Sequence, residues 1–246
     1  MKTLVVTSET TFVPNNYDQL IVGLAQHAHV AGLLVLKNWD AKLMLKALGL
    51  MGLGAVNVGK QLLKNRYGKS RKNRERAYYE QGKPVWYLDT INCDAAKKIV
   101  QFNEIELILN ARTRFIYKAD ILGEPKLGCI NIHHGILPGQ RGTMCDLWAL
   151  YQGNKAGFTI HAMNSRIDDG EILTAQIVDS GSERNFLTYL DRAARDELRV
   201  ASDVLNDIHQ KRALQGEPNV DPMKSPHSRN PTRHQIQDMK RKGMIL

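Results

Sequence analysis

Short apolar runs alternate with longer stretches of helical period along this chain. Residues 2–7, Val30 to Leu36, Pro84 to Leu88, Ile105 to Leu109 and Gly128 to His133 read as five strands. The unbroken run from Val30 to Leu36 is what a strand covered on both faces of a parallel sheet shows. Asp18 to His29 and Asn92 to Phe102 read as helices, and Ser8 to Tyr17 as a polar loop containing Pro14-Asn15-Asn16. Further on, Thr143 to Gly153 reads as a helix with Leu147 and Trp148 facing the core, and Phe158 to Met163 and Ile172 to Val178 read as strands. Asn185 to Arg212 places Leu187, Leu190, Leu198, Val204, Leu205 and Ile208 at helical spacing, which predicts a long amphipathic helix closing the sheet. The expected fold class is α/β, a mostly parallel twisted sheet flanked by helices.

Two segments depart from this alternation. Residues 39–80 predict a helical, basic insertion whose apolar positions (Leu43, Met44, Leu45, Leu48 and Leu50 among them) are interrupted by Lys46 and by glycines. From Gln215, residues Gly216, Pro218, Pro222, Pro226 and Pro231 mark an irregular arm, and Pro231 to Lys242 predicts a short helix that Gly243 ends. The expected organisation is a main domain over 1–214 and a basic arm over 215–246. There is no Gly-x-Gly-x-x-Gly after the first strand, which argues against a dinucleotide fold of that type.

Charge sharpens the picture of these two segments. Of the net +9, Lys60 to Arg76 contributes +7 and the stretch from Lys224 onward +5, so the rest of the chain is at −3. Basic appendages attract anions such as a nucleotide diphosphate or an anionic lipid surface. Lys42, Lys46 and Lys60 leave too short an uncharged run for a membrane span, so an interfacial helix is the membrane reading of residues 39–76. Packing of the insertion on the domain, or on a second subunit in a homodimer, is the favoured alternative. Cys93, Cys129 and Cys145 are too few and too scattered for a disulfide framework, and no metal site is expected. No stacked aromatic platform or base-reading motif points to sequence-specific nucleic acid. The N-terminus reads as a strand and not as a signal peptide, so a cytoplasmic location is expected.

The candidate chemistry lies in residues 131–170. Asn131 and His133, two apart at the end of the fifth strand, point to one face, and in a parallel sheet ligands bind beyond that end. An amide N–H there can donate to an oxyanion, a contribution of about 3–4 kcal/mol when one such donor is lost elsewhere. An imidazole can move protons near neutral pH, and Asp168 in Ile167-Asp168-Asp169-Gly170 can orient it or take an amine's proton. Each piece alone has a plain reading, a satisfied strand end or an Asp-Gly turn. Together and in order they suit acyl transfer to an amine.

The run from Asn131 to Leu173 resembles the signature of formyltransferases that use 10-formyltetrahydrofolate, the glycinamide ribonucleotide, methionyl-tRNA and sugar N-formyltransferases. That pattern is Asn-x-His-x-Ser-x-Leu-Pro, then Arg-Gly, then Gly-x-Thr-x-His, then an apolar residue, Asp, any residue and Gly. Here it is met by Asn131, His133, Leu137-Pro138, Arg141-Gly142, Gly157, Thr159, His161, Ile167, Asp168 and Gly170, with Gly135 in place of the family's Ser and His134 after the catalytic His. The resemblance implies that Asn131 is the oxyanion donor, His133 the acid–base and Asp168 its partner. It implies that Arg112, Arg114 and Phe115, in the loop that grips the pterin mainly through its backbone, bind the co-substrate by position rather than by side chain, together with Ile167, Asp169 and Gly170. Arg141, Gly142 and His134 are the expected acceptor contacts. The methionyl-tRNA enzymes carry an added C-terminal barrel for which the chain has no room, and its first loop lacks the purine enzyme's glycine-rich phosphate grip. By elimination the expected acceptor is an amino-sugar nucleotide or another cell-envelope amine. The alternative is a formyltransferase-like module that binds anionic surfaces without turnover.

Overall fold

A computed structural model of the chain describes every residue except Pro222 and Lys224, so those two positions of the expected arm lie outside the described residues. Seven strands form one sheet: β1 (Thr3–Ser8), β2 (Val30–Leu36), β3 (Val85–Leu88), β4 (Leu107–Ala111), β5 (Cys129–His133), β6 (Ala156–Ala162) and β7 (Ile172–Asp179). Their order is β3-β2-β1-β4-β5-β6-β7. The first five are parallel, β6 runs antiparallel to β5, and β7, antiparallel to β6, runs with the first five, so the mostly parallel α/β sheet expected from the apolar runs is present. All six residues of the central strand β1 are buried. Helices α1 (Asp18–Leu24), α5 (Asp94–Phe102), α6 (Ala119–Leu122), α7 (Cys145–Gln152) and α8 (Phe186–Lys211) cover the sheet. Two apolar clusters lie on its two faces, one with α1, α7 and α8 and one with α5 and α6.

Two boundaries differ from expectation for visible reasons. Helix α1 stops at Leu24 because Lys83 Nζ donates to the carbonyls of Ala25 and His27, at 2.6 and 2.8 Å, and so satisfies a tight exit. Strand β4 runs two residues later than Ile105 to Leu109, because the Ile105 amide closes the end of α5 on Val100 O.

The insertion folds as three helices, α2 (Ala41–Gly52), α3 (Val56–Tyr67) and α4 (Ser70–Tyr79). It is pinned to the loop after β1. Asn65 donates to the carbonyls of Thr11 and Val13, both at 2.7 Å, and the buried Arg74 donates to Asp18, to Ser8 O and to Asn16 O. The basic run is therefore not one solvated face. Arg74 is an interior anchor, while Arg66 pairs with Glu9 and Arg71 with Glu75. On α2, Met44, Leu45 and Leu48 are exposed. Among the described residues no helix is long and apolar enough to cross a membrane.

The C-terminal arm is fastened to the start of β7 and to the turn that follows β5. Glu217 exchanges two backbone hydrogen bonds with Ile172 at the start of β7, and Ser228 does the same with Arg141 and Thr143. Helix α9 (Arg233–Arg241) opens with a capping box between Thr232 and Gln235, and Gly243 follows it at φ 85°.

Candidate active site

Strand register assembles the site. Asn131 of β5 stands beside Asn110 of parallel β4 and directly opposite His161 of antiparallel β6. Asn110 Nδ2 donates to Asn131 Oδ1 at 2.9 Å, and Asn131 Nδ2 donates to His161 Nε2 at 3.1 Å. His161 Nδ1 donates in turn to Ala162 O at 2.8 Å, so Nε2 carries the lone pair. Burial pushes the His161 imidazole below its ordinary pKa, which keeps it in this neutral form. The Asn131 amide is thus oriented from both sides, with one N–H left over for a ligand.

His133 lies on the same face. Its Nε2 donates to Gln140 O at 2.7 Å, and its Nδ1 stands 3.3 Å from Asp168 Oδ1. The same carboxylate oxygen is 3.9 Å from His161 Nε2, and Oδ2 accepts from the Gly142 amide at 3.1 Å. Asn131, His133 and Asp168 therefore converge, with His161 as a fourth member. His133 and Asp168 are each nine-tenths or more buried, so a charge forming beside them is poorly screened by water. Asp168 is held at φ 53°, a left-handed conformation that aims its carboxylate back across the loop.

Gly135 explains itself here. A Cβ at this position would lie 2.6 Å from Gln140 O, 2.7 Å from His133 Nε2 and 2.9 Å from Cys145 Cβ. The Gln140 carbonyl occupies the space beside the imidazole, and the Gln140 side chain staples it there, accepting from Ile136 N at 2.9 Å and donating to Lys155 O at 3.0 Å. Thr159 completes the support, with Oγ1 donating to Gly135 O and accepting from Leu137 N.

A family model described as formyl transferase matches residues 56–205, which span α3 to most of α8. The chain belongs to the formyl transferase family. Methionyl-tRNA formyltransferase of Anaplasma marginale is 27% identical over 132 residues, which cover 53% of this chain and 44% of that protein. The chain thus matches less than half the length of that curated relative. Among solved structures, a sugar N-formyltransferase from a Shewanella species superposes with a TM-score of 0.57 at 18% identity, covering 93% of this chain and 76% of its own. Glycinamide ribonucleotide transformylase 1 from Symbiobacterium toebii superposes with a TM-score of 0.58 at 18% identity, covering 90% and 94%. At these identities the two structures speak for the fold.

The formyl transferase family uses 10-formyltetrahydrofolate as donor, and the edge around Asn131 fits such a group. Ile116 in the loop after β4 and Ile167 in the loop before β7 are exposed apolar side chains, 63% and 53% accessible. Asn131 supplies the unused N–H for a carbonyl oxygen. Phe115 instead packs into the apolar cluster under α5, and Arg114 is exposed beside Lys46. Asp169 pairs with Arg141 and Arg166. Gly170 lies against Ala162, where an added Cβ would stand 2.0 Å from its carbonyl oxygen.

Two expected contacts, His134 and Arg141, are corrected, and the Arg112 side chain leaves that residue only its backbone for a ligand. Arg112 turns inward: its guanidinium sits 5.8 and 5.5 Å from the rings of Phe12 and Tyr17, and burial lowers its pKa to about 10. His134 points to the opposite face from His133, because successive strand residues alternate. There Nδ1 donates to the fully buried Asp146 at 2.8 Å, and Nε2 meets the carboxyl of the fully buried Glu197. Arg141 has its donors engaged by Pro138 O, Asp169 and Asn219, so it is a clamp within the protein and not a free acceptor contact. Gly142 serves through its amide on Asp168. Sequence reasoning missed Asn110, Gln140 and Asn219 as parts of the site and gave His161 no role beyond its place in the signature.

Proposed function

We propose that this chain transfers a formyl group from 10-formyltetrahydrofolate to a primary amine, with an amino-sugar nucleotide as the acceptor class. The observation that carries the transfer reading is the convergence of Asn131, His133 and Asp168 in a chain of this family. Bound at the sheet edge, the donor supplies an activated formyl carbon whose oxygen gains negative charge as the amine adds. The free N–H of Asn131 stabilises that oxygen, an effect of about 3 kcal/mol for one preorganised donor. Asp168 accepts the proton that the attacking nitrogen must lose, and His133, 3.3 Å away, holds it for return to the nitrogen that leaves. The Gln140 carbonyl and the Gly142 amide keep the imidazole and the carboxylate in place, so little reorganisation accompanies the step.

The acceptor class rests on the first loop. In this chain the carbonyls of Ser8, Thr11, Val13 and Asn16 are capped by Arg74 and Asn65 from the insertion, and no glycine opens the loop to a phosphate. That favours an acceptor recognised elsewhere along the edge. The test is release of tetrahydrofolate across a panel of amino-sugar nucleotides, with glycinamide ribonucleotide as comparator. Release with one sugar nucleotide and none with the comparator supports the class, and the reverse overturns it.

A further inference from the structure

One of the side chains that hold the Asp168 loop comes from outside the segment that matches the family. Asn219 lies in the C-terminal arm, and its Nδ2 donates to the carbonyls of both Asp168 and Gly170, each at 3.0 Å. Its side-chain and backbone oxygens both accept from Arg141 Nη2, at 2.9 Å. Arg141 in turn holds Asp169 at 3.3 Å and its own turn through Pro138 O at 3.1 Å. One residue thus ties together the loop that carries Asp168 and the turn whose Gly142 amide holds Asp168 Oδ2.

The arm is anchored on both sides of this contact. Before it, Glu217 pairs with Ile172, where Gly216 passes so close that an added Cβ would stand 2.6 Å from Ile172 O. After it, Ser228 pairs across Gly142, whose φ of 100° and lack of a Cβ let the two backbones touch, and Trp148 Nε1 donates to Arg229 O at 2.8 Å. A loop whose key residue sits at φ 53° needs such outside support, because that backbone conformation is costly for a residue other than glycine.

We propose that Asn219 is a positioning residue for the Asp168 loop, so that the catalytic carboxylate is set by the arm as well as by the family domain. The role rests on the formyl-transfer reading, and its test keeps the two apart. Amide hydrogen exchange of residues 164–170 in the unliganded chain reads the loop directly, whatever reaction the chain performs. Asn219→Ala and Asn219→Asp, which removes the amide donor while keeping the shape, are each expected to speed exchange there by tenfold or more and to leave β1, β2 and β4 unchanged. In turnover, both variants are expected to lower kcat tenfold to a hundredfold with KM for the folate changed less than threefold, and to alter the pH profile of kcat. Asn219→Ser, which keeps a shorter polar group, is expected to fall between wild type and Asn219→Ala. Unchanged exchange at 164–170 in Asn219→Asp overturns the proposal. So does faster exchange with wild-type kcat in an active enzyme. Faster exchange in a chain that shows no formyl transfer supports the arm's hold on the loop and counts against the transfer reading alone.

Discussion

Asn131 and His161 face each other across the antiparallel pair β5–β6, and the amide N–H of the first donates to the ring Nε2 of the second at 3.1 Å. The histidine is no proton carrier in this arrangement. With its Nδ1 hydrogen on Ala162 O, it is a fixed acceptor that sets which way the Asn131 amide points. His161→Ala is expected to lower kcat tenfold to a hundredfold with a smaller change in KM, because the oxyanion donor is then held from one side only, through Asn110. His161→Gln, which can present a side-chain acceptor, should recover part of the loss. Steady-state kinetics of the two variants checks this, and equal rates for both would remove the orienting role.

The glycine at 135 makes a second prediction. Gly135→Ser restores the family's residue type and yet is expected to reduce turnover here, because its Cβ would drive the Gln140 carbonyl away from His133. Overpacking of this kind costs about 1–3 kcal/mol, so the variant should also lose stability in urea. Turnover at or above wild type would show that the imidazole does not depend on Gln140.

The sheet and the three converging residues were readable in the sequence because each depends on local pattern. Val30 to Leu36 had to be a buried strand, and Asn131 and His133 share a face by strand period alone. Asn110 and His161 gain their roles from register, which no single segment encodes. Arg112 and His134 were assigned to ligands by position, but packing decides their direction, and both point into the interior toward Asp146. Asn219 lies 51 residues beyond Asp168 in a proline-rich stretch with no periodicity to mark it. Arg74 looked like one more surface cation in a run of eight, because a buried guanidinium is invisible until its partners are placed.

The buried group behind the strand should govern acid stability. Burial lowers the His134 pKa to about 4, so the folded chain holds this ring neutral while the unfolded chain protonates it near its ordinary value. Stability from this site is present above about pH 6.5 and is lost as the pH falls toward 4, by up to about 3 kcal/mol. Burial pushes Glu197 the other way, well above the carboxylate range, so its contribution declines as the pH rises beyond that range. Urea midpoints of wild type and Glu197→Gln are expected to agree near pH 4 and to diverge in the variant's favour at pH 8. Parallel curves would mean that Glu197 is ionised in the fold.

The central claim is that Asp168 and His133 handle the proton in formyl transfer. The direct measurement is tetrahydrofolate release from 10-formyltetrahydrofolate with an accepted amine, comparing wild type with His133→Ala, Asp168→Asn and Asp169→Asn under matched folding. Losses of a hundredfold or more in kcat are expected for the first two and less than tenfold for Asp169→Asn. Near-wild-type release by His133→Ala or Asp168→Asn, or a larger loss in Asp169→Asn than in Asp168→Asn, would contradict it.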